Sequence, residues 1–164
     1  MSKFKSRREL SFADKAYKTT RLDYRYTQEK IMDMMEQSGI LKVRIEKEGE
    51  DFVLEFMAKL RHNEAERMVR MNIPYTPELE DTVRQAQNKK NVLFRVLFYH
   101  LKDKFIAINR GLKEFEEEFL ADLVIEDNGV MKRLGDVIAP KYKAMLRHSN
   151  KAVFKIKAGN EVKK

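Results

Sequence analysis

Leu41 to Met57 reads LKVRIEKEGEDFVLEFM, and this stretch decides the fold. Leu41, Val43 and Ile45 alternate with Lys42, Arg44 and Glu46, and Phe52, Leu54 and Phe56 alternate with Val53, Glu55 and Met57. Between them Glu48-Gly49-Glu50-Asp51 reads as a turn. A period of two sends successive side chains to opposite faces of a strand, so each run has one apolar edge and one polar edge. A third run follows the turn-like Arg61-His62-Asn63-Glu64: Val69, Met71 and Ile73 alternate with Met68, Arg70 and Asn72. Three strands joined by short turns predict an antiparallel meander. One face is apolar and must be covered; the other is mixed, with Val53, Met57 and Met68 expected at its surface.

The covers lie on either side. Upstream, Thr27 is placed to cap a helix over about 28–38, with Tyr26 and Ile31 as a hydrophobic staple and Ile31, Met34 and Met35 as its buried face. Gly39 suits the left-handed stop, and Ile40 can then touch Met35. Downstream, Thr76-Pro77-Glu78 offers a cap, a proline at the first helical position and an acid for the dipole. From Thr82 to Leu120 apolar residues recur at Leu93, Leu97, Leu101, Phe105, Ile108, Leu112, Phe115 and Phe119, steps of three and four that trace one helical stripe. Asn88-Lys89-Lys90-Asn91 is a candidate break, and Gly111 a weak point costing about 1 kcal/mol against alanine. Asp127-Asn128-Gly129 ends the run, and a short helix over about 131–138 follows, then Pro140 and another helical turn or two.

The expected fold class is therefore α+β: a short helix, a three-stranded antiparallel β-meander, a long amphipathic helix packed on the sheet, and short C-terminal helices. Residues 1–22 read as a basic N-terminal arm, 23–147 as a single α+β domain, and 148–164 as a basic C-terminal tail carrying Val153, Phe154 and Ile156.

Composition narrows the function. A chain of 164 residues can bury a core of its own. Its apolar runs are too short to span a membrane, its basic start lacks an apolar signal region, and zero cysteines fit a reducing, cytoplasmic setting. The net charge of +8 is segregated. Residues 1–21 carry seven basic and two acidic groups, 77–113 eight and four, 114–130 none and seven, and 131–164 ten and two. Such a map steers association with polyanions.

Motifs of catalysis are missing from the sequence. His62, His100 and His148 have no second histidine at metal-ligand spacing. The six glycines never cluster into a phosphate loop, and no serine sits in a nucleophile motif. Glu114, Glu118 and Asp122 recur every four residues in the acidic block, where like charges repel and call for counter-charges, available in the basic C-terminal segment. No enzymatic activity, cofactor or metal is expected.

A second helical stripe carries the functional expectation. Arg84, Asn88, Asn91, Arg95, Lys102, Asn109 and Lys113 lie on a different side of the helix from the apolar one and include no acid. Arginine and lysine contact phosphate, asparagine can bond phosphate or a base edge, and the bordering Tyr99 can stack on an unpaired base. The arm adds Arg7, Arg8, Lys18 and Arg21 among Phe4, Phe12 and Tyr17. The expected function is non-enzymatic nucleic-acid binding, DNA or RNA, with a protein-interaction or inhibitor module, or a homo-oligomer, as the rival.

The segment Phe115-Glu116-Glu117-Glu118-Phe119-Leu120, with Leu123-Val124-Ile125 and Asp127-Asn128-Gly129, resembles segments of small uncharacterised proteins of bacterial viruses and mobile elements. The resemblance spans Tyr24 to Ile138 and implies a helix, a meander and a long helix; it brings no activity with it. The order of three strands and a long helix is also similar to the core of single-strand annealing proteins, which gives a third functional expectation by analogy of topology.

Overall fold

A computed structural model describes Tyr17, residues 20–59 and residues 66–148. Helix α1 spans Tyr24–Gln37, strands β1, β2 and β3 span Val43–Glu48, Asp51–Lys59 and Glu66–Ile73, and helix α2 spans Val83–Asn109. A short α3, Phe115–Phe119, leads through a 3-10 turn at Leu120–Asp122 into a hairpin of β4, Val124–Asp127, and β5, Val130–Arg133; α4, Leu134–His148, follows. The class is α+β, and the first sheet is an antiparallel meander in the order β1-β2-β3.

Register assembles the core. Val43, Phe56 and Val69 lie opposite one another, as do Ile45, Leu54 and Met71, and Phe52 faces Ile73. Residues directly opposite share a face, so these rows make the apolar side that α1 and α2 cover. Ile31 and Met35 from α1, and Phe94, Leu97, Leu101 and Phe105 from α2, are all buried against it. Aromatic rings join the layers: Phe52 meets Phe94 edge-on at 5.0 Å, and Phe56 meets Phe119 at 5.5 Å.

The mixed face is more closed than its sequence suggests. Val53 is only 4% exposed, and Met57 and Met68 are half-buried. The reason is position: β2 is the central strand, flanked on both sides, and Val53 sits between Glu46 and Asn72. Glu55 is buried there too, accepting from Arg44 Nε at 2.9 Å and Arg70 Nη1 at 2.8 Å. Two guanidinium groups, one from each edge strand, keep this carboxylate bonded and paired.

Helix boundaries depart from expectation at the start of α1 and at both ends of α2. Helix α1 starts a turn before Thr27, because Asp23 caps it through Arg25 N–H at 2.8 Å and Asn91 of α2 accepts from Tyr24 N–H at 2.9 Å. Thr27 is instead a buried helical residue. Its far end matches the reading: Gly39, at φ +79°, donates to the Glu36 carbonyl, Ile40 donates to the Met35 carbonyl, and both Ile40 and Met35 are buried. Helix α2 begins at Val83, not Pro77; Thr82 and Gln85 form a reciprocal capping box. It runs unbroken through Asn88–Asn91.

Helix α2 stops at Asn109, eleven residues short of the expected end. Gly111 has φ +67° and donates to the Ile108 carbonyl, while Leu112 donates to the Ala107 carbonyl. This is the same left-handed stop as at Gly39, so Gly111 ends the helix rather than weakening it. Leu112 is left 73% exposed. Phe115 and Phe119 belong to α3, which doubles back so that Phe119 is fully buried, 5.8 Å from Phe105.

The hairpin is a further element. Asn128 (φ 54°) and Gly129 (φ 76°) form its two-residue turn, the pairing of positive φ angles that matches strand twist. A bridge from Val69 to Leu123 attaches it to β3. Helix α4 then covers 134–148, in place of a short helix over 131–138, with Pro140 inside it. A Cβ on Gly135 would lie 2.7 Å from the Ala121 carbonyl oxygen, so α4 rests on the 3-10 turn by backbone contact.

The stop at Gly111 is testable by sign. Gly111→Ala should destabilise the protein by about 1 kcal/mol, since alanine is disfavoured at positive φ. Inside a continuous helix the same change would stabilise by a similar amount. A shift of the urea midpoint to lower concentration is the expected result.

Candidate nucleic-acid interface

Burying Phe94, Leu97, Leu101 and Phe105 fixes the rotation of α2, and that rotation points the basic stripe outward. At 100° per residue Arg84, Asn88, Asn91, Arg95, Lys102 and Asn109 fall within about 60° of one another. Arg84, Asn88, Lys102 and Asn109 are exposed, and Arg95 and Tyr99 are half-exposed. Arg84 and Lys102 stand about 27 Å apart along the axis.

The pairing of cations separates the two sides of α2. Lys89 is held by Asp81 at 2.6 Å and Glu78 at 3.6 Å, and Lys104 by Glu118 at 3.1 Å. Lys90 lies over the rings of Tyr24 and Tyr75 at 5.6 and 5.4 Å. Arg84, Arg95 and Lys102 form no ion pair with the described residues.

Two members of the expected stripe have other employment. Asn91 is half-buried, and its side-chain Oδ1 accepts from the first N–H of α1. Lys113 lies past the helix stop, 4.0 Å from Glu117. Arg21 is exposed; Arg7, Arg8 and Lys18 lie outside the described residues.

Tyr99 is the aromatic centre of the face. The Arg95 guanidinium lies 5.1 Å from its ring centroid and donates to its hydroxyl at 3.2 Å. Phe98 meets it edge-on at 5.3 Å. Its flat face is stacked by Tyr17, with centroids 5.2 Å apart and planes within 5°. The sequence marks Tyr17 and Tyr99 separately; their meeting across 82 positions is a tertiary fact.

The acidic block is dispersed rather than convergent. Glu114 precedes α3, Glu118 pairs with Lys104, Asp122 approaches Arg133 at 3.4 Å, and Asp127 bonds Lys132 at 2.8 Å. Counter-charges thus come partly from the C-terminal segment, through Lys132 and Arg133, and partly from α2. Among the described residues no three histidine or carboxylate side chains are grouped to hold a metal ion. No helix of the described residues is long and apolar enough to cross a membrane.

A cleft of about 370 Å³ separates the outer side of β3 from the hairpin, lined by Arg70, Asn72, Lys132, Arg133 and Asp136 among others. Its cations are already engaged: Arg70 with Glu48 and Glu55, Lys132 with Asp127, Arg133 with Asp122 and Asp136. The cleft therefore offers a small anion little free positive charge.

The chain matches no protein-family model, no curated protein and no solved structure.

Partial desolvation shifts two groups near the acidic block in ways that oppose ionisation, His100 on an exposed side of α2 and Asp122 half-buried. His100 is held below its ordinary value of 6.5 by desolvation and then by the Lys104 ammonium, against the pull of Asp122, Glu118 and Asp103. Asp122 is raised by desolvation, against Arg133, Lys104 and His100. A depressed histidine means that the unfolded chain takes up its proton first as pH falls. His100 therefore lowers stability progressively below about pH 6.5. Thermal melts at pH 7.5 and 5.5 should show a smaller loss for His100→Gln than for the parent; equal losses would refute the assignment.

Proposed function

We propose that this protein binds nucleic acid through the phosphate backbone, without catalysis, using the outer face of α2. One observation carries the reading: Lys89 and Lys104 on the other sides of α2 are paired with carboxylates, whereas Arg84, Arg95 and Lys102 on the outer stripe have no acidic partner among the described residues, Arg95 lying only over the Phe98 and Tyr99 rings. Unneutralised cations on one rigid face suit a polyanion, and the neighbouring Asn88 and Asn109 amides add donors for phosphate oxygens. The basic termini, with Arg7, Arg8, Lys18 and Arg21 at the start, extend the same charge. The net charge of +8 favours encounter with DNA or RNA. Annealing of complementary strands is a sharper form of this reading, supported by the order of strands and helix.

Fluorescence anisotropy with labelled DNA and RNA across a salt series tests it. Three phosphate contacts predict that log K falls with log salt at a slope of about −2 to −3, steeper if the termini join in. Arg84→Glu with Lys102→Glu should flatten that slope by about 2 and weaken binding at every sequence. Absence of binding to any nucleic acid at low salt overturns the proposal.

A protein partner is the second reading, and its support is on α4. Ile138, Tyr142 and Met145 recur on one side of that helix at 39%, 60% and 69% exposure, beside Met131 at 62%. Exposed apolar residues recurring along one side of a helix suit contact with another apolar surface. Light scattering of the parent and of Tyr142→Asp distinguishes self-association from a monomer; a monomeric parent sinks the homo-oligomer form of the reading.

A further inference from the structure

We infer that Tyr99 and Arg95 form a stacking site for an unpaired base, and that Tyr17 occupies this site in the free protein. The inference rests on the nucleic-acid reading and deepens it: the ligand is single-stranded, and the chain's own ring holds the place of the base. Three observations meet here. The Tyr99 ring is fixed on both other sides, edge-on by Phe98 at 5.3 Å and by the Arg95 guanidinium at 5.1 Å. Its remaining face takes a flat ring, since Tyr17 lies parallel within 5° at a centroid distance of 5.2 Å. The site sits on the stripe between Arg84 and Lys102, so a strand tracking those cations passes over it.

Tyr17 is built to be displaced. Its φ is +60°, a conformation unfavourable for any residue with a Cβ, and the residue is 38% exposed. Its carbonyl accepts from Thr20 N–H at 2.9 Å. The phenol ring offers the π-face of a base without its hydrogen-bonding edges or its phosphate. A nucleotide therefore brings everything the tyrosine brings to Tyr99, and adds charge contacts with Arg84, Arg95 and Lys102. A duplex cannot compete for this face, because its bases are stacked on one another.

Equilibrium binding of the full chain to a labelled oligo-dT strand and to a duplex of equal length tests the site, together with emission from a single 2-aminopurine in the strand. Tyr17→Ala should tighten the single strand several-fold and leave the duplex unchanged. Tyr99→Ala should weaken the single strand by between about five- and a hundred-fold and abolish the 2-aminopurine quenching, with the duplex again unchanged. Tyr99→Phe, which keeps the ring and lacks only the hydroxyl bonded to Arg95, should bind the strand nearly as the parent does and keep the quenching. Unchanged strand affinity in Tyr99→Ala, or weaker strand binding in Tyr17→Ala, overturns the inference while leaving backbone binding intact. A parent that binds neither probe removes the nucleic-acid reading itself, and the stacking site with it.

Discussion

Covering the single apolar face of the three-stranded sheet is the constraint from which the rest follows. Phe52, Leu54 and Phe56 on the central strand must lose contact with water, and three strands alone cannot bury them. Helix α2 does so along its length, with α1 beside it and Phe119 sealing the far end. Each cover is then fixed in rotation by what it buries. The direction of Arg84, Arg95 and Lys102 is thus not independent of the core: turning α2 to hide those cations would expose Phe94 and Leu101, each worth roughly 2 kcal/mol or more in burial.

Charge is distributed by the same logic. Around the core, ionic groups are matched: Glu55 between Arg44 and Arg70, Lys89 with Asp81, Lys104 with Glu118. No buried side-chain polar atom among the described residues lacks a partner. The acidic block, −7 over 114–130, lies on α3 and the hairpin, past the turn at Gly111. Had α2 continued straight to Leu120, Glu116 and Glu117 would have flanked the basic stripe with acid. The helix stop instead turns α3 back so that Glu118 meets Lys104, away from the outer stripe.

What the sequence made legible was whatever local chemistry dictates. The period-two runs gave the three strands, and Gly39 gave the end of α1 together with the Ile40–Met35 contact. Gly111 carried the same stop signal as Gly39, but the apolar spacing on both sides of it continues in phase, so periodicity masked it. Asn128-Gly129 between Val124–Asp127 and Val130–Arg133 is a strong hairpin signal and reads equally as the end of a helix when α2 is overextended. Other features were beyond local reading. Asn91 lies on the polar stripe by spacing, and only the packing of α1 on α2 turns it into a cap. Val53 looks solvent-facing by alternation, and only its place on the central strand buries it. At the site, Tyr99 and Arg95 were evident one turn apart, whereas the Tyr17 ring above them was not.

The bridge from Val69 to Leu123 bears on how the chain assembles. Contacts within each sheet are between neighbours in sequence: two-residue turns join β1 to β2 and β4 to β5. Such contacts close small loops and form quickly. The Val69–Leu123 pairing closes a loop of about 54 residues and needs both the meander and the turned-back α3 in place. It follows the core contacts it presupposes, Phe119 against Phe56 and Phe105 among them, so the hairpin and α4 join a core already formed. That order leaves the β3 edge unpaired during folding, the interval in which another chain's strand can add to it.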